Sequence, residues 1–350
     1  MKKLDSLHYS FRNIDSYNKP FNFVFGAREL GKTTSFRTRF YRKRKKNKKP
    51  CIYLVRKSVE ITEALINSIF ETNINKFVDE EARPEFNKGT FKEGITDVKV
   101  SGETCFRIVS LNIDLRRIKL AVLKNVSCVF IDEYIINPKL NEKYLKNEAF
   151  IIKEAYTTRR REAEGILKVY ITANPYSLFN PLFVDWGIDI NKLKKGEFYV
   201  GENFVIEWAL LNPLLKEKLL KENPLFKEDN YSIYALEGSP INDSHIKLGQ
   251  LPINFSLRYV FRIANKYLGI FKNNNYYIDE DRFFVKELDN VSERRTAICF
   301  EFSELVEGAN LFSREDKLNL SIFKSSIMQR KVAFEDVNCY YLIEEIYKYI

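Results

Sequence analysis

The run Gly26-Ala27-Arg28-Glu29-Leu30-Gly31-Lys32-Thr33 constrains the fold more than any other stretch of this chain. It fits the pattern G-x-x-x-x-G-K-[ST] at every defined position. The apolar run Phe21-Asn22-Phe23-Val24-Phe25 before it reads as a buried strand, and Thr34 to Tyr41 after it can continue as a helix. Strand, glycine-bounded loop and helix together are the context in which this pattern forms a phosphate cradle. Backbone N–H groups and the positive end of the helix face the phosphates. Lys32 would reach the β- and γ-phosphates, the Thr33 hydroxyl would ligate Mg²⁺, and Gly26, Arg28, Gly31 and Thr34 would complete the nucleotide contacts.

A second segment turns binding into possible hydrolysis. Val129-Phe130-Ile131-Asp132-Glu133 is an apolar strand ending in two acids, about a hundred residues after the loop. Asp132 would hold the metal, directly or through water, and Glu133 would polarise the attacking water. The next strand-like run, 167–172, leads into Ala173-Asn174-Pro175. Asn174 is either a polar sensor of the γ-phosphate, as in additional-strand catalytic-glutamate (ASCE) ATPases, or a turn residue before proline. Phosphoryl transfer also needs charge neutralised at the transferring group, often by an arginine supplied in cis or by a neighbour. Arg159, Arg160 and Arg161 stand together just before that strand.

Bulk properties exclude several alternatives. The chain has 45% apolar and 30% charged residues, as globular proteins do. No apolar run approaches the ~18 residues of a membrane span, and Met1 to Ser6 lacks the apolar core of a signal peptide, so a cytosolic protein is expected. Five cysteines without paired spacing and only two histidines argue against disulfide frameworks, zinc sites and histidine acid–base chemistry. The net charge is +10, and nine basic residues with no acid lie between Arg37 and Lys49. Such a run suits a polyanionic partner or a solvated helix end.

Further along, Cys51 to Arg56 reads as a strand, Ser58 to Phe77 as a helix and Phe91 to Leu111 as a small antiparallel hairpin. Arg116 to Lys124 reads as partly helical and Leu140 to Arg161 as a polar helix. Alternating strands and helices predict a mainly parallel α/β sheet. From Phe204 the texture changes: Glu207 to Lys221 reads as helical and leads into a proline-punctuated connector. From Ile253 apolar and polar residues alternate, with a turn at Asn273-Asn274-Asn275 before Tyr276-Tyr277-Ile278. Phe334 to Ile350 reads as a terminal helix. The expected domains are 1–200, a linker or lid over 201–250, and 251–350.

Five segments give the chain a resemblance. They are Phe21 to Arg28 with Gly31-Lys32, Ile52 to Arg56, Val126 to Tyr134, Thr158 to Glu162, and Ala173-Asn174 with Asn180-Pro181-Leu182-Phe183. In this order the chain resembles the DNA-packaging ATPases of phi-29-like bacteriophages, relatives of the large terminase motors; Arg28 inside the P-loop is typical of packaging motors. The resemblance implies an N-terminal P-loop ASCE ATPase domain, a helical linker and a smaller β-rich, RNase H-like C-terminal domain. It implies an ATP- and Mg²⁺-dependent, homopentameric ring that drives double-stranded DNA into a prohead. The ring would also meet the portal and a packaging RNA. It would work in the host cytoplasm, dock transiently and be absent from the mature virion. By the same resemblance Arg159, or Arg161, matches the trans-acting finger and Lys119 a trans-acting lysine. Lys139, Asn141 and Lys143 match DNA-gripping positions, with Arg56 and Lys57 as further candidates.

A working RNase H-like nuclease needs carboxylates on its first strand to hold two metals. There is no Asp or Glu from Pro252 to Ile278, and Asp279, Glu280 and Asp281 read as turn residues. The expectation is a nuclease-like fold without nuclease activity, binding DNA, RNA or the portal through Arg258, Arg262, Lys266, Arg294 and Arg295. Two other functions fit the motifs: another P-loop DNA translocase or helicase, and a non-hydrolysing scaffold that binds nucleotide and nucleic acid.

Overall fold

The computed structural model describes residues 7–71, 84–121, 126–137, 142–160, 165–178, 180–222, 235–238, 246–263, 265–275, 281–289, 296–347 and 349. Two compact units emerge: residues 1–182 with 193–242, and residues 183–192 with 243–350.

The first unit is built on an eight-stranded sheet. Its strands are β1 (Phe21–Gly26), β2 (Cys51–Val55), β3 (Ile95–Val100), β4 (Glu103–Ser110), β5 (Cys128–Ile131), β6 (Val169–Ala173), β7 (Phe198–Val200) and β8 (Phe204–Ala209). Every residue of β1, β2, β5 and β6 is buried. That explains their near-continuous apolar sequences, because strands inside a mainly parallel sheet are covered on both faces. The order is β3-β4-β2-β5-β6-β1-β8-β7, so β6 lies between the P-loop strand β1 and the acid-bearing strand β5. This interposed strand is the one the ASCE reading requires. Only β3 and β7, at the two edges, run antiparallel to their neighbours. The predicted hairpin is β3–β4, turning at Ser101 and Gly102 (φ 52° and 75°), the double left-handed turn that fits strand twist.

The aromatic residues fill the core of this unit. Helix α2 (Lys32–Asn47) lays Phe36 flat on Phe130 of β5, ring centroids 3.7 Å apart. Phe40, from the next turn of α2, meets Phe106 of β4 at 4.7 Å. The short helix α1 (Arg12–Ser16) is tied down by Asp15, which accepts the Tyr170 hydroxyl at 2.6 Å and pairs with Arg39 and Lys168. Helices α3 (Glu63–Glu71), α4 (Leu115–Ala121), α5 (Glu148–Arg160), α6 (Pro181–Asp185) and α7 (Pro213–Glu222) follow in chain order. Of these, α6 straddles the division between the two units.

The second unit carries β9 (Lys247–Leu248), β10 (Phe255–Ile263), β11 (Lys266–Asn273), β12 (Phe283–Leu288), β13 (Ala297–Cys299), β14 (Ala309–Leu311) and β15 (Val332–Phe334). β10, β11 and β12 form an antiparallel meander, and β13 and β14 continue parallel to β10 on its other side. The order β12-β11-β10-β13-β14 is the RNase H-like arrangement. β15 and β9 extend it beyond β12. Phe261, Leu268, Ile270, Phe323 and Ile343 lie at the centre of its core.

Several expected boundaries move. Glu207 belongs to a strand, not a helix: β8 pairs parallel with β1 along its whole length, and the helix begins at Pro213. A boundary at 200 would therefore cut the central sheet, and the described residues from 193 to 238 group with the first unit rather than forming a separate linker. The helix expected from Leu140 starts at Glu148, and the one expected from Ser58 starts at Glu63 after a single 3-10 turn. Phe334 ends β15; the last helix begins at Val337, where the Asp336 carboxylate accepts the Cys339 N–H at 2.8 Å as an N-cap. Tyr276 to Ile278 lie outside the described residues, and the next described strand after the asparagine turn is β12.

Candidate nucleotide site

The P-loop hangs between the end of β1 and the start of α2, at the carboxyl end of the parallel strands, where open α/β sheets bind ligands. Its first glycine is dictated by packing: a Cβ on Gly26 would stand 2.3 Å from the Ala209 carbonyl oxygen. Gly31 is dictated by conformation, since it adopts φ +80° as the residue that opens α2. A 3-10 turn, Arg28–Leu30, fills the loop between them.

Lys32 is 5% exposed, and its ammonium donates to the carbonyls of Gly26 (3.0 Å) and Ala27 (2.8 Å) and to Oδ1 of Asn174 (3.2 Å). Burial pushes its pKa down to about 8, against the attraction of Asp132, Glu133 and Glu29. Asn174 therefore faces the P-loop lysine from the end of β6. Thr33 donates its hydroxyl to Oδ1 of Asp132 at 2.9 Å. The same oxygen accepts the Thr172 hydroxyl and, at 3.1 Å, the Glu133 N–H. Thr172 was not singled out in the sequence, because a threonine at a strand end has no distinctive spacing.

Glu133 takes a left-handed backbone conformation, φ 50°, uncommon for a residue with a side chain. The following N–H, of Tyr134, returns to the sheet by donating to the Thr172 carbonyl at 3.0 Å. Burial pushes the Glu133 carboxyl above its ordinary range, Asp132 adds to the shift, and Arg28 and Lys32 oppose it. Gly26, Arg28, Gly31, Lys32, Thr33, Asp132, Glu133 and Asn174 thus meet at one sheet end. Exposed Thr34 follows in the first turn of α2.

The other candidates are dispersed. Lys119 of α4 forms an ion pair with Glu154 of α5. Arg159 lies in the last turn of α5, its side chain outside the described residues; Arg160, which ends the helix, is exposed; Arg161 lies outside. Arg56 is turned inward, at 3.0 Å from the fully buried Glu148 carboxylate and 2.6 Å from the Tyr134 carbonyl, with the Tyr144 ring 5.2 Å away. This inward commitment departs from the expected DNA-facing position. Lys57 is half-buried and Lys143 exposed, while Lys139, Asn141, Arg294 and Arg295 lie outside the described residues. In the second unit Arg258 is exposed, Arg262 donates to the Tyr267 hydroxyl at 3.0 Å, and Lys266 pairs with Glu287 at 2.8 Å.

The model of the family described as Podovirus DNA encapsidation protein (Gp16) matches residues 1–349. The DNA packaging protein of Bacillus phage PZA is 26% identical over 244 residues, 69% of this chain and 68% of that protein. Its counterpart in Bacillus phage phi29 is 28% identical over the same shares. Among solved structures, a chain of the bacteriophage Phi-29 viral genome packaging motor assembly superposes with a TM-score of 0.67 at 19% identity. That match covers 98% of each chain.

Proposed function

Since the chain belongs to the Podovirus DNA encapsidation protein (Gp16) family, we propose that it hydrolyses ATP and uses the cycle to translocate double-stranded DNA during genome packaging. The observation that carries the hydrolytic step is the convergence at Asp132: its carboxylate lies 2.9 Å from the Thr33 hydroxyl, with Glu133 adjacent on the same strand end. Lys32 and the P-loop amides bind the β- and γ-phosphates. Glu133, whose carboxyl burial raises above its ordinary range against the opposing charges of Arg28 and Lys32, would orient the attacking water. Asn174, whose Oδ1 accepts from the Lys32 ammonium at 3.2 Å, would respond to the γ-phosphate.

Mg²⁺ suits this donor set, because hydroxyl and carboxylate oxygens are hard ligands. Thr33 and Asp132 would hold it, and when bound it supplies charge neutralisation at the phosphate oxygens. Further parts of the proposal rest on the family resemblance: a homopentameric ring, Arg159 or Arg161 entering a neighbour's site, Lys119 acting in trans after leaving Glu154, and Lys57, Lys139, Asn141 and Lys143 touching DNA. Contact with the portal and a packaging RNA, and transient docking on the prohead from the host cytoplasm, belong to the same reading. We assign no nuclease step to the second unit, because β10 bears no carboxylate.

The test is ATP turnover, with DNA and purified proheads present and absent, for wild type and Glu133→Gln. Loss of turnover by roughly 10²–10⁴-fold with retained nucleotide binding is the expected result. Equal rates in the two proteins would overturn the assignment.

A further inference from the structure

Three consecutive residues of β8 each hold a different part of the P-loop. β8 pairs in parallel with β1 in the register Val24↔Glu207, Phe25↔Trp208, Gly26↔Ala209. At the last of these pairs the Ala209 carbonyl comes so close to Gly26 that no side chain fits there. Glu207 accepts the Tyr9 hydroxyl at 2.5 Å, and the Tyr9 backbone N–H in turn donates to the Leu30 carbonyl inside the loop at 3.0 Å. The preceding residue, His8, packs against Gly31: a Cβ there would lie 3.0 Å from the imidazole. Trp208 donates its indole N–H to the Gly238 carbonyl at 3.0 Å. Gly238 has φ +61°, and a Cβ on it would stand 2.8 Å from the Ala27 nitrogen.

Successive side chains of a strand point to opposite faces of the sheet. Glu207 therefore works through Tyr9 from one face and Trp208 through Gly238 from the other. The two routes meet different halves of the loop, Leu30 with Gly31 and Ala27 with Gly26. Burial supports the arrangement: Trp208 is 8% exposed, its ring is 5.1 Å from Phe25, and the Lys195 ammonium lies over it at 5.6 Å. Burial also raises the carboxyl of Glu207 above its ordinary range, partly offset by the Tyr9 hydrogen bond, so this bond lies in a sheltered site.

We propose that Glu207 and Trp208 are positioning residues for nucleotide binding, acting through Tyr9 and Gly238 to hold the P-loop backbone in its phosphate-binding shape from both faces of the sheet. Neither touches phosphate. A loop held before ligand arrives loses less freedom on binding, so the contribution falls on ground state and transition state alike. Its kinetic mark is a raised KM with little change in kcat. The inference rests on the nucleotide-site reading above, and wild-type turnover tests that reading separately.

The experiment compares Trp208→Phe, Gly238→Ala, Glu207→Leu, Glu207→Gln and Tyr9→Phe in the full chain, measuring KM for ATP, kcat and thermal midpoint. Trp208→Phe keeps an aromatic ring but loses the donor and part of the indole's volume, so KM is read beside the thermal midpoint; KM is expected to rise about tenfold. Gly238→Ala should raise it further, because the added methyl presses on Ala27. Glu207→Leu and Tyr9→Phe should each raise KM, and Glu207→Gln, whose amide oxygen still accepts the hydroxyl, should recover most of the loss. A second readout uses Trp208 fluorescence in a Trp186→Phe background, which should change on ADP binding. Variants that lower the thermal midpoint while leaving KM unmoved would overturn the proposal, since that is what packing alone predicts. A Gly238→Ala protein with wild-type KM, or no advantage of Gln over Leu at 207, would overturn it as well.

Discussion

At the scale of single residues, Lys32 has the most exposed consequence of burial. An ammonium 5% exposed among loop carbonyls has its pKa lowered to about 8 from 10.5. The folded chain therefore holds fewer protons than the unfolded chain between about pH 8 and 10.5. The cost of burying this charge is present in full below that window and fades as pH rises through it. Nucleotide phosphates favour the charged form, so binding above pH 8 must take up a proton. Affinity for ATP is expected to fall about tenfold between pH 7 and pH 9 if the bound lysine stays protonated. Titration calorimetry in buffers of different ionisation enthalpy would read both the affinity and the proton uptake; an affinity flat across this range would contradict the assignment. Glu133 has the opposite sign. Its carboxyl is raised, so turnover is expected to decline on acidification at a pH above that of an ordinary glutamate. The acid limb of the pH–rate profile measures this directly.

Elements account for what could and could not be read from the sequence. β1, β5 and β6 were legible because each is a short apolar run that ends in the chemistry it carries: the P-loop, Asp132-Glu133 and Asn174. Their order in the sheet gave meaning to Asn174, which in sequence was equally a turn residue. β8 was not legible: Glu207 lies in the middle of it, and its acid is acceptable only because Tyr9, 198 positions away in sequence, brings a hydroxyl. The same non-local effect redirected Arg56, whose place at the end of β2 suggested a surface cation. It joins β2 to the N-terminal turn of α5 by pairing with Glu148, whose side chain is 0% exposed. Removing one partner of a buried pair leaves the other charge uncompensated. Arg56→Ala is therefore expected to destabilise the first unit by about 3–5 kcal/mol, and Arg56→Met with Glu148→Leu by much less. Denaturant unfolding of the three proteins checks this, and equal losses in both variants would show that the pair is not the source.

At the scale of the whole molecule, the charge of +10 is the property that a polyanionic partner meets first. Most of the basic run turns out to lie in α2, a helix of 16 residues and so about 24 Å long, with Lys48 and Lys49 just past its end; the helix carries the charge away from the P-loop toward the amino ends of the strands. Some of that charge is used internally. Arg39 pairs with Asp15, and Arg44, buried, donates to the Lys48 carbonyl at 2.6 Å and lies near Glu103. Lys43, Lys45 and Lys46 are exposed on the last turns of the helix. Duplex DNA binding that depends on such lysines releases condensed counterions, so the logarithm of affinity falls linearly with the logarithm of salt. For the full chain we expect a loss of roughly 10³-fold between 50 and 200 mM salt, the response of about six phosphate contacts. Changing Lys43, Lys45 and Lys46 to Gln should reduce the slope by about 0.9 for each lysine that touches a phosphate. Anisotropy of a labelled duplex across a salt series measures both quantities. A slope unchanged by the triple substitution would mark the end of α2 as a solvated helix terminus and move the phosphate contacts to the loops after β5. A slope near zero for the wild type would remove phosphate contact as the basis of DNA binding altogether, because no sequence-independent grip on a duplex can escape counterion release.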